Sequence, residues 1–237
     1  MDKKTSRTVP PKRRIFTEIL KENYTFALTL IDREMTEKGK DPELLYNFAI
    51  CCSRTGNHKK CVSILQELLE TFPKFSERDN VFRMMIYSMI KTGNHKEAIQ
   101  KADERLKLSL DDIVLLSLKA SALEKSGDTK GAIETHLRIL RLRPEHKNSL
   151  NSVAYLLLEG KEPGPEELKT AMENLKQALQ LEPENAAYLD SFGVLLSKLG
   201  KKEEARKAFE KALLKAPSEN IILEHLKNLS PNNPQAT

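Results

Sequence analysis

No apolar stretch in the 237 residues approaches the roughly 18 uninterrupted positions that a membrane-spanning helix needs. The basic opening from Met1 to Arg14 also lacks the apolar segment of a secretory signal, so a cytoplasmic chain is the expectation. Cysteine is scarce: Cys51, Cys52 and Cys61 are an odd set crowded into one region, a poor disulfide framework, and reduced thiols are expected. The sequence has no GxxxxGK[ST] phosphate loop, no HExxH zinc pair, no GxSxG nucleophile turn and no CxxC, which removes the common signatures of catalysis. A noncatalytic protein is expected, with no catalytic residue, no metal and no cofactor. The one cluster with metal-binding chemistry, Cys51, Cys52, His58 and Cys61, has the wrong spacing for a zinc site. Cys52 and Cys61 instead align with Met89, Leu123, Ala98 and Ala132 of the copies described below, so they read as small core hydrophobes.

Charge is distributed in a way that matters more than its sum. The net charge is +5, and Lys3, Lys4, Arg7, Lys12, Arg13 and Arg14 outnumber the single Asp2 by that same five. The rest of the chain is balanced, unlike the basic face of a nucleic-acid reader. Any nucleic acid or anionic membrane would be met by residues 1–14, a stretch expected to be a disordered tail. It has no aromatic residue before Phe16 on which a base could stack.

What the sequence does contain is a copy of itself. Thr55-Gly56-Asn57-His58-Lys59 returns as Thr92-Gly93-Asn94-His95-Lys96, and related turns hold Gly127 and Gly200. These glycines stand 37, 34 and 73 residues apart, a unit near 34 with short insertions. From Ala186 to Glu219, Leu189, Phe192, Gly193, Leu196, Ala205, Phe209, Ala212 and Pro217 fall at the spacing W-x2-L-G-x2-Y, then A-x3-F, then P. This segment resembles the tetratricopeptide repeat family. Carried upstream, one close-packing column reads Ala49, Ile86, Ala120, Ala154, Gly193 and a second reads Cys61, Ala98, Ala132, Ala171, Ala205. Pro73, Pro144, Pro183 and Pro217 end the second helix of their copies, with Leu110 in that place in one.

The resemblance implies an all-α, right-handed α-solenoid of about five to six helix-turn-helix repeats with a C-terminal capping helix. Repeats are expected at 42–75, 79–112, 113–146, 147–185 and 186–219, with a degenerate copy at 15–41 whose first helix lies within Lys12 to Leu20. A cap is expected at 220–229 and a disordered tail at 230–237. The inserts Ser76 to Arg78 and Glu159 to Pro165 belong to loops. Lys119, His136 and Arg105 stand where the family has apolar or small residues, so partial exposure is expected there, while His58 and His95 should be solvated in polar turns.

In the family the first helices line a concave groove that holds peptides. Carried onto this sequence, that stripe comprises Glu43, Tyr46, Ile50 and Arg54; Asn80, Arg83, Tyr87 and Lys91; Ser117 and Ser121; Asn148, Asn151 and Tyr155; and Asp190, Val194 and Lys198. Three of the five tyrosines fall on it, and tyrosine and arginine dominate binding energy at interfaces. The expected partner-binding residues are Tyr46, Arg83, Tyr87, Asn148, Asn151, Tyr155 and Asp190, and the expected partner is a protein or peptide. The carboxylate clamp of the chaperone-adaptor subclass is not expected, because its positions hold Tyr46, Ile50, Met84, Val114 and Leu118. The alternative is an accessory factor tethered to anionic membrane or RNA through the basic N-terminal tail.

Overall fold

The computed structural model describes residues 10–159 and 162–229, which form thirteen helices and no strand. Two compact units divide the chain at the turn after Ser126. The first holds α1 (Pro11–Leu20), α2 (Tyr24–Lys38), α3 (Pro42–Arg54), α4 (His58–Thr71), α5 (Arg78–Lys91), α6 (His95–Leu106) and α7 (Ile113–Ser126). The second holds α8 (Thr129–Leu142), α9 (Lys147–Leu158), α10 (Pro165–Leu181), α11 (Ala186–Lys198), α12 (Lys202–Lys215) and α13 (Asn220–Asn228). Among the described residues, no helix is long and apolar enough to cross a membrane.

Local chemistry explains the starts and stops. Asp41 accepts the backbone N–H groups of Glu43 and Leu44 at 3.0 and 3.2 Å, Asp128 accepts that of Gly131 at 2.9 Å, and Asn185 accepts those of Ala187 and Tyr188. Each satisfies donors that the first helical turn leaves unpaired. At the other end, Gly56, Gly93 and Gly200 take φ of +79°, +82° and +74°, the left-handed conformation that ends a helix at little cost only in glycine. The next N–H then reaches back five residues, from Asn57 to Cys52, Asn94 to Met89 and Lys201 to Leu196, at 2.8 to 2.9 Å. One closure therefore recurs where the sequence repeats its turn.

The two small-residue columns lie on the buried faces of their helices. Ala49, Ile86, Ala120 and Ala154 in one, and Cys61, Ala98, Ala132, Ala171 and Ala205 in the other, are all 0% exposed. All three cysteines are buried and free. Burial pushes the Cys51 and Cys52 thiols up to about 11, so both stay protonated near neutrality, and the Ser88 hydroxyl donates to Cys61 Sγ at 3.3 Å. At the C-terminal end, Ile222 and Leu229 join Leu196, Ala205, Ala208, Phe209 and Ala212 in one core, with α13 packed on α12. Burying Ile222 alone contributes roughly 1.5–3 kcal/mol.

Three expectations need correction. Helix α1 begins at Pro11, so Lys12, Arg13 and Arg14 are helical and not part of a tail. Proline at the first helical position is pre-set for the helix, Ile15 is fully buried beside Ala27, Ile31 and Leu44, and Lys12 reaches Asp41 and Glu43 at 2.9 and 3.0 Å. His136 is buried, not part-exposed, because Ser149 supplies a hydrogen-bond partner inside the core. His58 is half-buried, with Nδ1 sealed from solvent, instead of solvated. The tails expected at 1–9 and 230–237, and Gly160 and Lys161 of the 159–165 loop, lie outside the described residues.

Candidate functional site

The stripe residues divide between the units: Tyr46, Arg83 and Tyr87 belong to the first, Asn148, Asn151, Tyr155 and Asp190 to the second. In the first unit, α3 contributes Ile50, Ser53 and Arg54, and α5 contributes Met84 and Tyr87, to a depression of about 550 Å³. Tyr87 is 41% exposed, as Phe16 and Phe26 are at 55% and 43%, and stands edge-on to the His58 ring with centroids 5.7 Å apart. Lys91 Nζ lies 5.5 Å from the same ring centre. Burial and the charge of Lys91 both lower the His58 pKa, and His58 Nδ1 has no hydrogen-bond partner among the described residues. Ile50, Arg54 and Lys91 are on the stripe as read from sequence. Ser53, Met84 and His58 were not assigned to it, and the repeat register of α3 and α5 was the signal that could have added the first two.

The other two residues of the first unit are braces. Tyr46 is half-buried against Phe75, with ring centroids 5.7 Å apart. Arg83 Nη2 donates to Asp112 at 2.6 Å and Nη1 to Asn80 at 3.2 Å, tying α5 to the start of α7. The arginine and the lysine in apolar columns are also committed: Arg105 pairs with Asp79 and lies 4.5 Å over the Phe82 ring, and Lys119 pairs with Asp103 at 2.6 Å.

In the second unit the structure spends some of the expected anchors on packing. Asn148 Oδ1 accepts the Tyr188 hydroxyl at 2.8 Å, and Asp190, only 6% exposed, is held by His225 Nδ1 of α13 at 2.9 Å. Tyr155 is half-buried, and burial, with Glu159 and Asp190 nearby, raises its pKa. Asn151 Oδ1 is buried without a hydrogen-bond partner among the described residues. Asn151 and Tyr155, four residues apart on one face of α9, are the freer pair in this unit.

The same unit contains a polar knot with the elements of nucleophilic chemistry. Ser149 Oγ lies 2.9 Å from Nδ1 of both His136 and His146. Ser149 is 0% exposed, so no substrate can reach its hydroxyl, and the knot serves the fold. His146 Nδ1 also accepts the Ser149 backbone N–H at 3.3 Å, capping α9. Burial, then the charges of Arg143 and His136, lower the His146 pKa below its ordinary 6.5. A folded state that resists a proton the unfolded chain accepts has this stability in full above pH 6.5 and loses it as pH falls through the folded value. The melting temperature of the second unit should therefore drop from pH 7 to pH 5, and His146→Asn should flatten that slope. Equal slopes in wild type and variant would disprove the assignment.

By sequence, the family model for the tetratricopeptide repeat matches residues 186–218, and no curated protein matches. By structure, a tetratricopeptide repeat protein from Parabacteroides merdae ATCC 43184 superposes with a TM-score of 0.66, at 17% identity over 79% of this chain and 72% of the other. MamA from Desulfovibrio magneticus RS-1 gives 0.62 at 19% identity, covering 76% and 97%. YrrB, a tetratricopeptide protein with an unusual peptide-binding site, gives 0.57 at 18%, covering 83% and 97%. Residues 186–218 are a tetratricopeptide repeat, and the chain has the fold of tetratricopeptide repeat proteins. At these identities the solved structures establish the fold alone.

Proposed function

We propose that this tetratricopeptide protein is a noncatalytic scaffold that holds a peptide or partner domain on the stripe formed by the first helices within each unit. The observation that supports this most is Tyr87, a large ring left exposed above a depression that Ile50, Met84 and Arg54 line, while its neighbours in sequence are buried. An amphipathic ring with few rotatable bonds is the side chain that interfaces favour, whereas a solvated helix face would carry Lys, Glu or Gln. Asn151 and Tyr155 supply the corresponding pair in the second unit, an amide that can meet a peptide backbone beside a hydroxyl-bearing ring.

The test is affinity capture of partners on the full chain, followed by titration of the captured partner against variants. Tyr87→Ala or Tyr155→Ala should each weaken binding by at least roughly 1 kcal/mol with helicity and melting near wild type. Wild-type affinity in the Tyr87→Ala, Tyr155→Ala double variant would move the binding surface elsewhere.

A further inference from the structure

The last turns of α3, α5 and α7 hold Arg54, Lys91 and Lys125, one cation two residues before the turn glycine in three successive first helices of the first unit. Several basic side chains of this unit have carboxylate partners: Lys12 has Asp41 and Glu43, Lys40 has Glu67, Arg83 has Asp112, Arg105 has Asp79 and Lys119 has Asp103, whereas Lys59, Lys60, Lys74, Lys96 and Lys107 form no ion pair among the described residues. Among the described residues, Arg54, Lys91 and Lys125 form no ion pair. A cation at a helix C-terminus is favoured by the macrodipole, which accounts for the residue type. It does not account for the depression that Arg54 lines, for the exposed Tyr87 that Lys91 overhangs, or for the unsatisfied Nδ1 of His58 behind that ring.

Together these features describe a hollow of mixed polar and apolar lining, with positive charge at Arg54 and Lys91. Resting on the reading of this stripe as a peptide site, we propose that the depression between α3 and α5 takes an acidic segment of a partner protein. An aromatic or leucine side chain would pack on Ile50, Met84 and Tyr87, and flanking Asp or Glu carboxylates would reach Arg54 and Lys91. Lys125 extends the same edge for a further carboxylate. Carboxylates at Arg54 and Lys91 gain charge-assisted hydrogen bonds and displace no existing ion pair. A peptide fits better than a nucleic acid, because one tyrosine ring beside Ile50 and Met84 suits a single apolar side chain rather than a run of stacked bases.

The experiment is selection from a random twelve-residue display library on the full-length chain, followed by titration of the selected peptides after synthesis. Peptides with Asp or Glu beside Phe, Tyr or Leu should be enriched, their affinity should fall as salt rises, and Arg54→Ala with Lys91→Ala should weaken them by at least about tenfold. Lys207→Ala, in α12 of the other unit, should leave them unchanged. If alanine disturbs melting, Arg54→Gln with Lys91→Gln keeps the side-chain stems and answers the same question. Selected peptides without acidic enrichment that nonetheless weaken in Tyr87→Ala would overturn the acidic assignment and leave the stripe standing. Peptides indifferent to Tyr87→Ala would overturn both. An empty selection, or tight binding of a twelve-nucleotide polyadenylate in place of any peptide, would overturn the acidic-peptide site.

Discussion

Replacing Gly193 should cost the second unit more than any surface change, because a side chain there has nowhere to go. A Cβ built on Gly193 would lie 2.5 to 2.9 Å from three carbons of the Phe209 ring, closer than real contacts allow. Phe209 cannot yield cheaply: it is 1% exposed, belongs to the core with Leu196, Ala205, Ala212 and Ile222, and stacks 5.5 Å from His225, which holds Asp190. Gly193→Leu should therefore lose roughly 1–3 kcal/mol through overpacking. Gly193→Ala is the sharper experiment. Alanine gains about 1 kcal/mol over glycine in a helix interior, so a neutral or lower melting temperature already reveals a steric cost of that size. Phe209→Leu, which trims the ring, should be less harmful in the Gly193→Ala background than in wild type. A Gly193→Ala protein that melts higher than wild type would show that the α11 and α12 contact has slack.

That contact was legible from sequence in outline only. The repeat spacing places Gly193 opposite the second helix, and the small residue at Ala205 completes the pattern, but the atom in the way belongs to Phe209, one turn further on. Periodicity fixes which face of a helix meets its neighbour; ring orientation depends on packing against residues far away in the chain, here Ile222 and His225 of α13. The same division holds elsewhere. Recurrent turns such as Thr92-Gly93-Asn94 carry their own chemistry and could be read directly. The start of α1 was legible only in conflict, as a helix within Lys12 to Leu20 and as a tail to residue 14, because the charge of Lys12, Arg13 and Arg14 says nothing of Ile15 anchoring the turn from the other side.

The candidate site was harder to read because a position on the stripe does not say whether the side chain is free. Tyr87 remains available, while Asp190 faces a histidine from the capping helix and Asn148 receives a tyrosine hydroxyl. Both partners come from 35 or more residues away, beyond any local pattern. Sequence placed Arg54, Arg83 and Lys91 on one stripe and chose Arg83, with nothing in the pattern to separate a paired cation from an unpaired one. In the structure Arg83 is paired with Asp112, and Arg54 and Lys91 form no ion pair among the described residues.

Arg83 is where the two roles part most clearly, and its partner Asp112 should be the more costly loss. The Asp112 side chain is 10% exposed and serves three donors: Arg83 Nη2 at 2.6 Å and the N–H groups of Val114 and Leu115 at 2.9 and 3.1 Å, which cap α7. Asp112→Ala removes the cap and strands the guanidinium, for a combined cost of about 2–4 kcal/mol. Asp112→Asn keeps an oxygen for the cap and loses only the charge, so it should cost less. Arg83→Ala should cost less still, since Asp112 retains both backbone donors. Burial pushes the Asp112 carboxyl up, but the Arg83 hydrogen bond and the α7 N–H groups outweigh it and hold the pKa below the ordinary 3.8. A depressed folded pKa gives stability that is complete above the unfolded value and lost as pH falls through the folded one, so wild type should weaken below about pH 4 where Asp112→Asn does not. Melting of the three variants at pH 7, with acid titration of wild type and Asp112→Asn, checks the order and the sign. If Arg83→Ala leaves melting untouched and weakens a captured partner by tenfold, Arg83 is a binding anchor after all, and the α5 to α7 clasp is incidental to it.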